Sequence, residues 1–181
     1  GSRWRTVVRL AEPLCQEIEG EEADRHRRGG KEDYAPMPDE ETLLRLCFRR
    51  RPVDGEQFER VRAFVETARR DGIAILAGGS PAPGFAKGYF FEPTIVIDPP
   101  LGSEIWRKEV FGPVVCVRSF RDEGEALALA NDSRFGLAAA VMSADDARAE
   151  RVAAALRAGI VWINCSQPTF TEAPWGGYKR S

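Results

Sequence analysis

The stretch VVCVRSFRDEGEALALANDSRFGLAAAVM, residues 114–142, decides the fold. Val114 to Phe120 is rich in β-branched residues, the composition of a strand. Asp122, with Glu125 three residues later, makes a capping pair for a helix through Ala130, and Gly136 follows that helix. Leu137 to Met142 then reads as a second strand, so the stretch predicts a strand–helix–strand unit.

The same alternation extends in both directions. Upstream, Asp54 is placed to cap a helix in which Phe58, Val61, Phe64, Val65 and Ala68 recur at helical spacing, with Gly72 to end it. Ile73 to Ala77 and Pro93 to Ile97 are strand candidates. Downstream, Asp145 to Ala158 predicts a helix with Val152 and Leu156 inward, and Ile160 to Asn164 a last strand. Strands joined by single helices need crossover connections, which favour right-handed βαβ units and a parallel sheet. The expectation is an α/β domain over residues 52–181. Ligands of such sheets gather at the carboxyl ends of strands, and the segments after Asn164 and before Val114 are the places to search.

Residues 1–51 differ in texture. In EIEGEEADRHRRGGKED acidic and basic residues cluster without apolar periodicity, which predicts a charged, poorly ordered arm. Thr6 to Ile18 and Glu41 to Phe48 are its only candidate helices. The basic run Arg25 to Arg28 sits beside Glu21, Glu22 and Asp24, which cancel much of its field, so a solvated loop is expected.

Composition excludes several functions. With 26 basic and 28 acidic residues the net charge is -2, which attracts neither nucleic acid nor an anionic membrane surface. No apolar run approaches the roughly 20 residues of a membrane span, and GSRWRTVVRL lacks the apolar core of a secretory signal. A cytoplasmic or other soluble intracellular location is expected. Cys15, Cys47, Cys116 and Cys165 form no C-x-x-C pair and His26 is the one histidine, so no metal site is expected and buried thiols are. There is no G-x-G-x-x-G and no G-x-x-x-x-G-K-[ST] loop to cradle phosphate.

Just before the decisive stretch, EVFGPVVC places the Glu109 carboxylate and the Phe111 ring two residues apart. An ionised carboxylate can accept hydrogen bonds from both hydroxyls of a ribose, and a ring can pack on a flat heterocycle. Gly112 and Pro113 would set the turn that aims them. Spacing alone fits a surface carboxylate and a core ring ahead of an edge strand as well. Asp145 and Asp146 are adjacent at a helix start and do not face one another, so they read as capping residues.

EVFGPVVC is followed in order by ALANDSRFGLAAAV, GIVWINCSQP and APWGGYKRS, and together these resemble the aldehyde dehydrogenase superfamily from about Val53 to Ser181. WINCSQP with APWGGYKRS is most similar to the plant-type betaine-aldehyde and aminoaldehyde dehydrogenases. The resemblance implies a three-layer, parallel-sheet part of the catalytic domain of an NAD(P)-dependent oxidoreductase. It implies that Glu109 holds the nicotinamide ribose and that Phe111 packs beside the nicotinamide. Thr169 and Trp175 match positions lining the aldehyde channel. Ile160 matches a position behind it, where a residue bulkier than Ala disfavours a trimethylammonium head, so aminoaldehydes are expected over betaine aldehyde. The family's Gly-Gln-x-Cys nucleophile and Glu-Leu-Gly-Gly base segments are not found in this sequence. No catalytic residue is therefore assigned, and weak or no cofactor binding is expected of this chain. The family is homo-oligomeric, and its final oligomerisation strand would lie beyond Ser181. A non-catalytic interaction module derived from such an enzyme is the alternative.

Overall fold

The structure is a computed structural model that describes residues 5–9, 52, 54–85, 87–165 and 172–181, the first of these as a strand only. The described elements are β1 (Arg5–Arg9), α1 (Gly55–Arg70), β2 (Ile75–Ala77), β3 (Thr94–Ile97), α2 (Glu104–Arg107), β4 (Val114–Phe120), α3 (Glu123–Asn131), β5 (Phe135–Gly136), β6 (Ala138–Val141), α4 (Asp146–Ala155), β7 (Ile160–Ile163) and β8 (Tyr178–Lys179). Two compact units divide the chain, with the boundary between Ser119 and Phe120.

In the first unit, one sheet runs β1-β4-β3-β2. β3 and β4 are parallel, in register Thr94 with Val114 through Ile97 with Val117. The parallel pairing is as expected, and β2 adds an antiparallel strand at the edge beside β3. The cause lies in the connection: between β2 and β3 the described residues of 78–93 form no crossover helix. Helix α1 begins as expected, with the Asp54 carboxylate accepting from Gln57 N at 2.8 Å. Its Val61, Phe64, Val65 and Ala68 are buried against Val96, Val114 and Cys116 of the sheet and Ile105, Trp106 and Val110 of the α2 region. Each buried Val, Ile or Phe among them is worth roughly 1.5–3 kcal/mol when removed from water. Gly112 is buried against α1, where a Cβ would collide with the Val61 side chain, so the turn before β4 can come that close only as glycine.

The helix expected from Thr6 does not begin there. Arg5–Arg9 is a strand at the edge beside β4. The β-branched pair Val7-Val8 suits a strand, and pairing with β4 satisfies backbone groups an open edge leaves in water. The rest of that candidate, and Glu41 to Phe48, lie outside the described residues.

In the second unit, β6, α4 and β7 form the expected βαβ unit, with Ala138 paired to Ile160 and Val141 to Ile163 in parallel. Among the described residues β4 and β6 belong to different sheets, so the expected single sheet is divided. Periodicity marks which segments are strands but carries no record of which strand each will join. Both remaining helices are capped as expected: Asp122 accepts from Glu125 N at 2.9 Å, and Asp145 from Arg148 N at 3.0 Å. The Glu125 carboxylate reaches back to Arg121 N at 2.7 Å, one residue ahead of the cap. Helix α4 stops at Ala155, short of Ala158, and buries Ala149, while Val152 and Leu156 are only half-buried.

Candidate functional site

The Glu109–Pro113 turn is built in the first unit, in the segment before Val114 named as a place to search, but at the amino end of β4 and not at a carboxyl end. Helix α2 buries Ile105 and Trp106, and Val110 is buried again beyond it, so the chain is anchored on both sides of Glu109. The Glu109 side chain is half-buried, and its carbonyl accepts from Arg60 Nη2 at 3.1 Å. Phe111 is not the core ring that spacing alone also allowed. It is 49% exposed, and its backbone is left-handed at φ 59°.

A phenylalanine in that region costs about 1–2 kcal/mol and persists only when its surroundings enforce it. Two groups enforce it here. The Gln57 side-chain amide donates to the Phe111 carbonyl at 2.5 Å, and Pro113 is fully buried with its carbonyl accepting from Thr94 N at 2.8 Å. Strain of this kind gathers at ligand sites, where a side chain is held out of the core for use.

The second unit holds the other candidates. Ile160 and Trp162 alternate with Val161 on β7 and so share one face of it. Trp162 is 7% exposed and Trp175 55% exposed, with ring centroids 6.2 Å apart and planes at 51°. The Gly159 backbone lies against Gly176, where a Cβ on Gly159 would collide with the Gly176 carbonyl. The strand start carrying Ile160 and the loop carrying Trp175 are thus brought together by one close backbone approach. Thr169 lies outside the described residues.

At the far end of β7, Asn164 is left-handed at φ 50° and its amide makes two 2.8 Å bonds to Ser143, accepting from N and donating to O. Asn131 binds the end of α4 in the same way, donating to the Ala155 carbonyl and accepting from Arg157 N. Lys179 donates to the Asn131 carbonyl at 3.0 Å, a structural role. The Cys116 thiol is buried and donates to the Ile105 carbonyl at 3.6 Å, as a core thiol does. Cys165 is half-buried, and Cys15 and Cys47 lie outside the described residues. Among the described residues no cluster of His, Cys, Asp and Glu could hold a metal, and no helix is long and apolar enough to cross a membrane. Sequence reasoning passed over Trp162 and Gln57. The i, i+2 relation of Ile160 and Trp162 was a signal for the first, whereas nothing local marked the second.

Residues 52–181 match the model of the aldehyde dehydrogenase family. The chain belongs to that family. A peroxisomal aminoaldehyde dehydrogenase of Malus domestica is 57% identical over 129 residues, covering 71% of this chain and 26% of that protein. A chloroplastic betaine aldehyde dehydrogenase of Amaranthus hypochondriacus is 54% identical over the same shares of each. Among solved structures, betaine aldehyde dehydrogenase from Staphylococcus aureus in complex with NAD+ is similar at a TM-score of 0.67 and 42% identity, covering 70% of this chain and 26% of that one. The chain thus spans about a quarter of the length of these relatives.

Proposed function

We propose that residues 52–181 supply the nicotinamide-ribose contact and the aldehyde head-group contact of an NAD(P)-dependent aminoaldehyde dehydrogenase. The observation that carries this reading is the enforced turn at Phe111, which presents a half-exposed ring two residues from a half-buried carboxylate. That donor set suits a nucleoside: Glu109 would accept the ribose hydroxyls and Phe111 would pack on the flat base. When bound, NAD(P)+ accepts the hydride that leaves the aldehyde carbon. Glu109 orients the sugar, Phe111 limits the ring to one face, and Trp175 offers an indole face to a cationic head, an attraction of roughly 0.5–2 kcal/mol. Ile160, bulkier than Ala, favours the slimmer ammonium over a trimethylammonium group.

The sequence contains neither Gly-Gln-x-Cys nor Glu-Leu-Gly-Gly, so the thiolate and the general base of the family reaction are not assigned to it. This chain alone is proposed to be inactive. A second reading, a non-catalytic interaction module, is favoured by one observation: a strand of the 1–51 segment, Arg5–Arg9, joins the edge of β4.

The deciding experiment is a chimera in which residues 52–181 replace the matching quarter of the Malus domestica enzyme. An active chimera with higher kcat/KM for 4-aminobutanal than for betaine aldehyde supports the proposal. A folded, oligomeric chimera without activity favours the interaction module. Reversed preference overturns the role given to Ile160.

A further inference from the structure

We infer that Trp162, to which no role has been given, is the positioning residue of the head-group site. It is the platform that fixes the orientation of Trp175. The inference rests on the proposed contact between Trp175 and a cationic head, and it concerns what makes that contact selective.

An exposed indole on a loop would sample several rotamers, and a cation gains its full attraction only over a ring face held in place. Trp175 stands on such a loop and is 55% exposed. Two features restrain it. The backbone of the next residue, Gly176, rests on Gly159, which fixes the loop but leaves the side-chain torsions free. The side chain meets Trp162, at 6.2 Å between centroids and 51° between planes, within the range of favourable tilted aromatic pairs. Trp162 is itself held: it is 7% exposed, and its backbone is paired with Ala140 in the parallel β6–β7 ladder. The order within the pair is therefore one fixed ring and one presented ring. Because Ile160 shares the β7 face with Trp162, the platform and the residue proposed to set head-group size are adjacent on one rigid strand. A smaller residue at 162 would leave Trp175 in place but loosen its direction, so selectivity would fall before folding does.

The test uses the whole chain with indole nitrogens labelled, which gives four Nε1–H resonances, one for each tryptophan. Trp175→Phe identifies the signal of Trp175 and Trp162→Phe that of Trp162. The chain is titrated with 4-amino-1-butanol, an ammonium-bearing alcohol, and with neutral 1-butanol as control. The expected result is a saturable shift of the Trp175 signal with the amine only. In Trp162→Phe, which keeps an aromatic core residue, the half-shift concentration should rise about threefold, and in Trp162→Leu about tenfold, the range a cation–π contact spans. A urea melt accompanies each variant. Unchanged half-shift concentrations in both variants would overturn the platform role while leaving the head-group proposal standing. No response of Trp175 to the amine in the parent chain would overturn both. Should Trp162→Leu melt without cooperativity, Trp162→Phe alone decides.

Discussion

The Gln57 amide donates to the Phe111 carbonyl across 54 residues of sequence, tying the first turn of α1 to a residue with φ 59°. This bond joins the best-packed helix of the first unit to the left-handed position of the Glu109–Pro113 turn. Helix burial of Val61 and Val65 thus becomes a constraint on where an exposed ring stands.

Gln57→Ala should cost about 0.5–1.5 kcal/mol in a urea melt, the net worth of one hydrogen bond. If the bond serves to hold the left-handed turn, its cost should shrink in a Phe111→Gly background, because glycine adopts that conformation without penalty. A double-mutant cycle measures this coupling, and strictly additive losses would show that the bond and the strain are independent.

At the end of β7, Asn164 combines two bonds to Ser143 with φ 50°. Asn164→Ala loses both bonds and places a Cβ in a left-handed backbone, an expected loss of about 2–4 kcal/mol. Asn164→Gly loses the bonds only, and its melt should lie above that of the alanine variant. The opposite order would mean that backbone conformation contributes nothing there.

Much of this was legible in the sequence. The caps at Asp54, Asp122 and Asp145 were local, because side chain and backbone partner are three residues apart. Burial of Val61, Phe64, Val65 and Ala68 followed from helical spacing. The pairing of Arg5–Arg9 beside β4, the antiparallel β2 and the division of the sheets were not legible, since each depends on partners distant in sequence. At the candidate site, EVFGPVVC marked Glu109 and Phe111, but the exposure of the ring depended on Gln57, which no spacing rule connects to it.

The Arg151 guanidinium makes a two-point contact with Glu123 between α3 and α4, at 2.9 and 2.8 Å. This hydrogen bond holds the Glu123 carboxyl below its ordinary value of 4.5. A carboxylate depressed in the folded state stabilises it above the ordinary value, and the gain is lost as pH falls through the folded one. Glu123→Gln should therefore melt below the parent chain at neutral pH, with the gap closing under acid conditions below pH 4.5. A gap that is constant with pH would assign the effect to packing. Because both groups are solvent-facing, the gap should also narrow in high salt.

Glu109 carries the central claim, that this turn holds the ribose of a nicotinamide cofactor. The direct measurement is kcat/KM for NAD+ in the chimera with the Malus domestica enzyme, with and without Glu109→Gln. The amide keeps the size of the side chain but not its charge, so loss of charge-assisted bonds to the hydroxyls should lower kcat/KM about 10- to 100-fold. The carbonyl bond to Arg60 Nη2 is a backbone contact that the substitution leaves in place, and a urea melt of the variant separates a folding loss from a binding loss. A folded variant whose kcat/KM stays within about twofold of the parent would contradict the claim.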